Sequence, residues 1–153
     1  MSGPHVSDGG QAQRAGRRDL LAVVEKAGHA LAFFDLADGE LVERISLGQY
    51  PHEMVVDPDG RYAYVAHYGV RMSANHGAGG SRVFVIDLER LQQVSSIELE
   101  PFRRLHGIAM DDEGRLYVLS EEQAVLLRAD SPEGAVAPSA AVPTGGIKTH
   151  MVV

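Results

Sequence analysis

The chain contains no cysteine. Disulfide bonds, thiolate metal ligands and cysteine nucleophiles are therefore all excluded, while the compartment stays open, since a missing thiol suits oxidising and reducing surroundings equally. No apolar run approaches the ~20 residues that a membrane-spanning helix needs, so no membrane partner is expected. Positive charge is scarce: 14 Lys and Arg face 21 Asp and Glu, for a formal net charge of −7. That balance argues against a general binder of phosphate backbones, so no nucleic acid partner is expected. Residues 1–18 lack the hydrophobic stretch of a secretion signal. With Arg14, Arg17 and Arg18 among small polar residues, they read as a disordered leader. No Gly-x-Ser-x-Gly elbow is present, and the glycine-rich stretch around His76 is not followed by Lys-Ser or Lys-Thr. A serine hydrolase of that type and a phosphate cradle both lack support.

What the sequence does have is internal repetition. His52-Glu53-Met54-Val55-Val56 recurs as His106-Gly107-Ile108-Ala109-Met110 and again as His150-Met151-Val152-Val153. Eight residues after His52 comes Gly60, and eight after His106 comes Gly114. Tyr64-Val65-Ala66-His67 has its counterpart in Tyr117-Val118-Leu119-Ser120. Self-similarity at this period marks a repeat array, in which each unit buries its apolar face against its neighbours. Three units follow, about 19–60, 61–114 and 115–153. Each reads as short strands joined by tight turns, with Asp38-Gly39 and Pro58-Asp59-Gly60 as hairpin signals. The expectation is an all-β chain of β-propeller blades, each a four-stranded antiparallel sheet.

Two features interrupt the regularity. About ten residues are inserted around Val70 to Gly80, where a repeat array carries its functional loops. The stretch from Ser131 to Pro143, rich in Pro and Ala, gives only a weak strand signal. Thr149 to Val153 is expected to begin a further strand, and the turn glycine due after His150 does not follow. A closed propeller has 4–8 blades. The expectation is thus an incomplete propeller, needing its remaining blades, or self-association, to close the ring and cover an open sheet edge.

The pattern His-x-x-(Val/Ala)-(Val/Met)-x-x-(Asp/Glu)-Gly, followed by Tyr-Val-x-x, resembles the YVTN family of β-propeller repeats over residues 19–153. The Asn of the family's name motif is replaced by Glu25, His67 and Ser120, and only Pro51 of three positions keeps the proline before the repeated His. The resemblance implies a propeller similar to seven-bladed lactonase-like proteins, with the strand after each repeated His innermost in its blade. It would also allow a periplasmic location, which the sequence itself leaves unknown.

The repeat alignment gathers candidate site residues at one rim of the axial channel: His52, Glu53, His67, Tyr68, His106, Glu121 and His150. Neutral imidazoles converging on an axis can bind a divalent metal ion, so His52, His106 and His150 are candidate metal ligands. The commoner role for a histidine that recurs with a repeat is to bond backbone at a strand entrance or to line a pocket. Glu121 and Glu122 are adjacent carboxylates that could divide acid–base work, although such a pair is more often solvated. Asp57, Asp59, Asp111 and Asp112 are expected to stabilise turns. Asp35, Asp87 and Asp130 should cap hairpins. The leading functional expectation is binding of a small ligand or metal ion at this rim, with no cofactor required by any motif and no catalysis established. A lactonase-like hydrolase is the first alternative, and a scaffold presenting the loop 69–82 to a protein partner is the second.

Overall fold

The computed structural model describes residues 18–132 and 138–153. The leader expected at 1–18 lies outside them apart from Arg18, which approaches Asp35 at 3.7 Å. Eleven strands and no helix occur among the described residues. They are β1 (Leu20–Glu25), β2 (Ala30–Asp35), β3 (Leu41–Ser46), β4 (Pro51–Val56), β5 (Tyr62–His67), β6 (Arg82–Asp87), β7 (Gln92–Glu98), β8 (Leu105–Met110), β9 (Leu116–Ser120), β10 (Val125–Ala129) and β11 (Ala140–Pro143). Consecutive strands pair antiparallel in three sheets, β1-β2-β3, β4-β5-β6-β7 and β8-β9-β10-β11. These are the meandering sheets of propeller blades.

The sheets are phased one strand away from the sequence units. Units cut at Gly60 and Gly114 divide the β4-β5 and β8-β9 hairpins, whose turns those glycines close. Gly60 N–H donates to Asp57 O and Gly114 N–H to Asp111 O, both glycines with φ near 70°. Asp57 Oδ1 accepts from the backbone of Arg61 and Tyr62, and Asp111 Oδ1 from that of Glu113 and Arg115. Both aspartates are turn residues, as expected from their type. Asp35 and Asp87 cap the following turns in the same way. Asp130 instead pairs with Arg128 at 2.7 Å.

Side-chain alternation builds the core. In β5 and β6, Tyr64, Ala66, Val83 and Val85 face the third sheet, where they meet Leu105, Ile108, Leu116, Val118 and Leu127. Their neighbours Ala63, Val65, Phe84 and Ile86 face the first sheet and meet Leu31 and Phe33. The two central strands of the middle sheet, β5 and β6, are thus buried on both faces, which is why they read as continuous apolar runs rather than alternating ones.

The first strands of successive sheets lie side by side, β1 against β4 and β4 against β8. Each of β4 and β8 carries a register shift at its start. From Pro51 to Met54 on β4 the partner strand advances only from His67 to Val65. From Leu105 to Ile108 on β8 it advances from Ser120 to Val118. Each strand therefore holds one extra residue, a β-bulge, at His52-Glu53 and at His106-Gly107. A bulge re-aims the side chains it carries. Two residues before each repeated histidine, Tyr50, Arg104 and Lys148 all adopt left-handed backbone, with φ of 55°, 53° and 53°. The sequence repeat is thus also a repeat of backbone shape. Thr149 to Val153 does not form the expected strand. These residues join no ladder, and a strand without a hydrogen-bonded partner has no means of satisfying its backbone.

Candidate functional site

The two bulges and the segment after β11 bring three histidines to one place. The His106 ring stands between those of His52 and His150, with centroids 3.8 Å from each. Gly107 allows this approach. A Cβ at that position would lie 2.6 Å from His150 O and 3.1 Å from Met151 Cα, so only glycine lets the final segment rest on β8. His106 Nδ1 lies 3.1 Å from His150 O. Glu53 Oε1 is 3.3 Å from His106 Nδ1 and 3.7 Å from His52 Nδ1. His52 Nδ1 is buried without a hydrogen-bond partner.

Burial sets the protonation of this cluster. It holds His52 down at about 4, with the charges of His106, Lys26 and His150 acting in the same direction. Burial also lowers His106, helped by His150. Burial raises Glu53 above the ordinary carboxylate value, although His150 and the Ile108 backbone oppose it. At neutral pH His52 and His106 are neutral, with lone pairs available to an ion or a donor.

Tyr68 and Glu121, both expected at the rim, form its floor. Tyr68 O–H donates to the Glu121 carboxylate, 2.9 Å from both oxygens, and the Tyr68 ring centroid is 5.0 Å from that of His106. Burial and the Glu121 carboxylate push the Tyr68 phenol up to about 12. Arg104 Nη1 stands 3.8 Å from Glu121 Oε1. The acidic pair expected at Glu121-Glu122 is therefore split: Glu121 is buried and Glu122 exposed. Both lie in the turn after β9, where Glu121 folds inward to Tyr68 and Glu122 is left in solvent.

His67 does not join the cluster. Its ring packs on Phe84 at a centroid distance of 5.2 Å, and Gly48 and Gly80 lie against it so closely that a Cβ on Gly80 would meet His67 Cγ at 2.2 Å. It is a packed residue at the end of β5, and burial lowers its pKa. His76 is exposed on the inserted loop.

The cluster opens into a cleft of about 270 Å³, lined by His52, His106 and His150 with Lys26, Tyr68 and Glu121, and walled by Arg71 to Ser73 and Lys148. Arg104 holds the inserted loop in place, donating to the carbonyls of Ser73, Asn75 and Gly77 at 2.8–3.1 Å. Arg104, Lys26, Arg71 and Lys148 were not legible as site residues by repeat matching. Arg104 and Lys148 share one signal that could have found them, their position two residues before a repeated histidine. At the other end of β4 and β8 a wider hollow of about 500 Å³ opens among the turn carboxylates.

No family model matches the chain, and no curated protein matches it in sequence. Solved structures do match in fold. Hydrazine synthase of Kuenenia stuttgartiensis aligns at a TM-score of 0.68 with 19% identity, over 86% of this chain and 34% of that one. The dihydro-heme d1 dehydrogenase NirN, in complex with DHE, aligns at 0.64 with 20% identity, over 87% of this chain and 28% of that one. A functionally unknown protein of Desulfotomaculum acetoxidans aligns at 0.62 with 14% identity, over 83% and 39% respectively. The chain thus spans about a third of the length of these structures. With its three antiparallel sheets, the likeness establishes an all-β, propeller-like fold and nothing finer.

Proposed function

We propose that this chain is a YVTN-type propeller repeat protein that binds a divalent metal ion at His52, Glu53 and His106, with His150 beside them. The observation carrying this reading is that one ligand atom from each of His52, Glu53 and His106 lies within 4.8 Å of the others. Two donors about 2.1 Å from a tetrahedral ion stand about 3.4 Å apart. The 3.3 and 3.7 Å separations from Glu53 Oε1 to the two imidazole nitrogens are close to that spacing. An unpartnered buried nitrogen on His52 and neutral rings at pH 7 both favour a bound cation. Coordination through His106 Nδ1 would exchange its contact with the His150 carbonyl for the metal. The set of two or three imidazoles and one carboxylate suits zinc, manganese, iron or copper better than calcium.

Ring closure through further blades or a second copy belongs to the same reading. The exposed apolar side chains of Val142, Ile147 and Met151 support it. The lactonase-like alternative rests on the repeat resemblance alone. Calorimetric titration with zinc, copper, manganese and calcium, on this chain and on a His52/His106/His150 triple-alanine variant, tests the proposal. Stoichiometric binding that disappears in the folded variant is the expected result. A folded chain that binds none of the four ions refutes it.

A further inference from the structure

The chain is acidic overall, yet its cleft is walled by cations. The only two lysines in the sequence, Lys26 and Lys148, both line it, together with Arg71. They come from three separate elements: the end of β1, the segment leading to His150, and the inserted loop. Among the described residues none of the three forms an ion pair, whereas Arg44, Arg82, Arg90, Arg103, Arg104, Arg115 and Arg128 all do.

The one carboxylate lining the cleft, Glu121, does not balance them. It accepts the Tyr68 hydroxyl with both oxygens and faces Arg104. Glu53 is turned to the imidazoles. Lys26 stands over the Tyr68 ring at 4.7 Å, fixing one ammonium at the cleft floor. Its pKa is lowered by burial, with Glu121 opposing, so that charge is already partly stripped of water. The backbone of the loop that carries Arg71 is held: Arg104 donates to its carbonyls, and Asn75 Oδ1 accepts the Met72 N–H at 2.8 Å. Converging cations on fixed elements recognise oxyanions, through charge-assisted hydrogen bonds from lysine and the fork of arginine.

We infer that this cleft takes a small oxyanion-bearing ligand, held between the histidine cluster and Lys26, Arg71 and Lys148. The inference rests on the metal-ion reading, deepening it by naming the class of ligand that sits beside the ion. A cleft of about 270 Å³ has room for roughly nine water molecules at about 30 Å³ each. That volume accommodates a small acid.

Calorimetry with succinate, sulfate and the neutral isostere succinamide tests this, each against metal-free and zinc-treated chain. Succinate supplies planar carboxylates and sulfate a tetrahedral oxyanion, so the two arms separate the sources of the charge. One or both anions should bind. The affinity should fall at least tenfold in Lys26→Met/Arg71→Gln/Lys148→Met and decline with added salt, and succinamide should give no heat. Arg71→Gln alone, at an exposed loop position, should weaken binding about threefold and covers the case in which the triple variant misfolds. Anion affinity unchanged in both variants, equal binding of succinamide, or no anion binding to either form of the protein overturns the inference. The two readings fail separately. Anion binding without zinc binding removes the metal and keeps the oxyanion; zinc binding without anion binding does the reverse.

Discussion

Lowering the pH from about 7.5 to about 4.5 should destabilise the chain, with a separable share due to His52. In the fold His52 titrates at about 4, against 6.5 for a free histidine, chiefly because burial disfavours its charged form. Between these values the unfolded chain binds more protons at this site than the folded one. Stability therefore rises with pH across the window and is lost as pH falls from about 6.5 toward 4. A displacement of that size is equivalent to at most about 3 kcal/mol. Water reaching the open cleft screens this to roughly 1–2 kcal/mol. Lowered His106 and His67 act in the same direction. Glu53 acts oppositely: its raised pKa makes the folded state hold a proton longer, so its contribution grows as pH falls toward the free carboxylate value. Comparing urea denaturation of the wild-type chain and His52→Asn across this range removes what the two proteins share. The wild type should lose roughly 1–2 kcal/mol more than the variant on acidification, and NMR titration should place the His52 ring far below 6. A His52 ring titrating near 6.5, with superimposable pH profiles for the two proteins, would refute the reasoning.

Other perturbations test the supporting structure. Gly107→Ala should push the His150 segment off β8, because its Cβ would meet backbone rather than a flexible side chain. Zinc affinity should drop about tenfold by calorimetry while stability changes by under about 1 kcal/mol, since the segment joins no ladder. Tyr68→Phe strips a charge-assisted hydrogen bond from a buried carboxylate and should cost about 1.5–3 kcal/mol in denaturant melts. Adding Glu121→Gln should cost less than the sum of the two changes. Leu105→Ala, at a fully buried position between the second and third sheets, should cost about 2–5 kcal/mol by the same assay. Arg104→Met should release the inserted loop, seen as faster protease cleavage between Arg71 and Ala78.

Most of the strand order was legible because the repeat carries two physical signals at once, an apolar strand and, after His52 and His106, an acidic turn closed by a glycine eight residues on. β8, Leu105–Met110, contains the repeated segment His106–Met110. The bulges were not legible. An extra residue in one strand can be seen only against its partner, and pairing is a relation between distant segments. The same holds for the phase of the sheets: sequence similarity marks the hairpin, while hydrogen bonding decides which hairpins share a sheet. At the site, His52, His106 and His150 met because equivalent positions in a curved array converge. His67 shares their rim by alignment but turns into the Gly48-Gly80 packing, which depends on the inserted loop. Glu121 was placed at the rim by the repeat, but its burial was not legible, because its partners Tyr68 and Arg104 are 53 and 17 residues away.

The three clustered imidazoles belong to three successive copies of one repeat. A repeat array is held together by nearest-neighbour interfaces, so its blades can open one at a time. His52 and His106 stand on separate sheets, and His150 comes from the segment beyond the last of them. An ion or acid touching all three would act as a clasp across blade boundaries, favouring the state in which every blade is docked over any in which one has peeled away. Occupancy of the cleft would thus be read in the cooperativity of unfolding as much as in its midpoint.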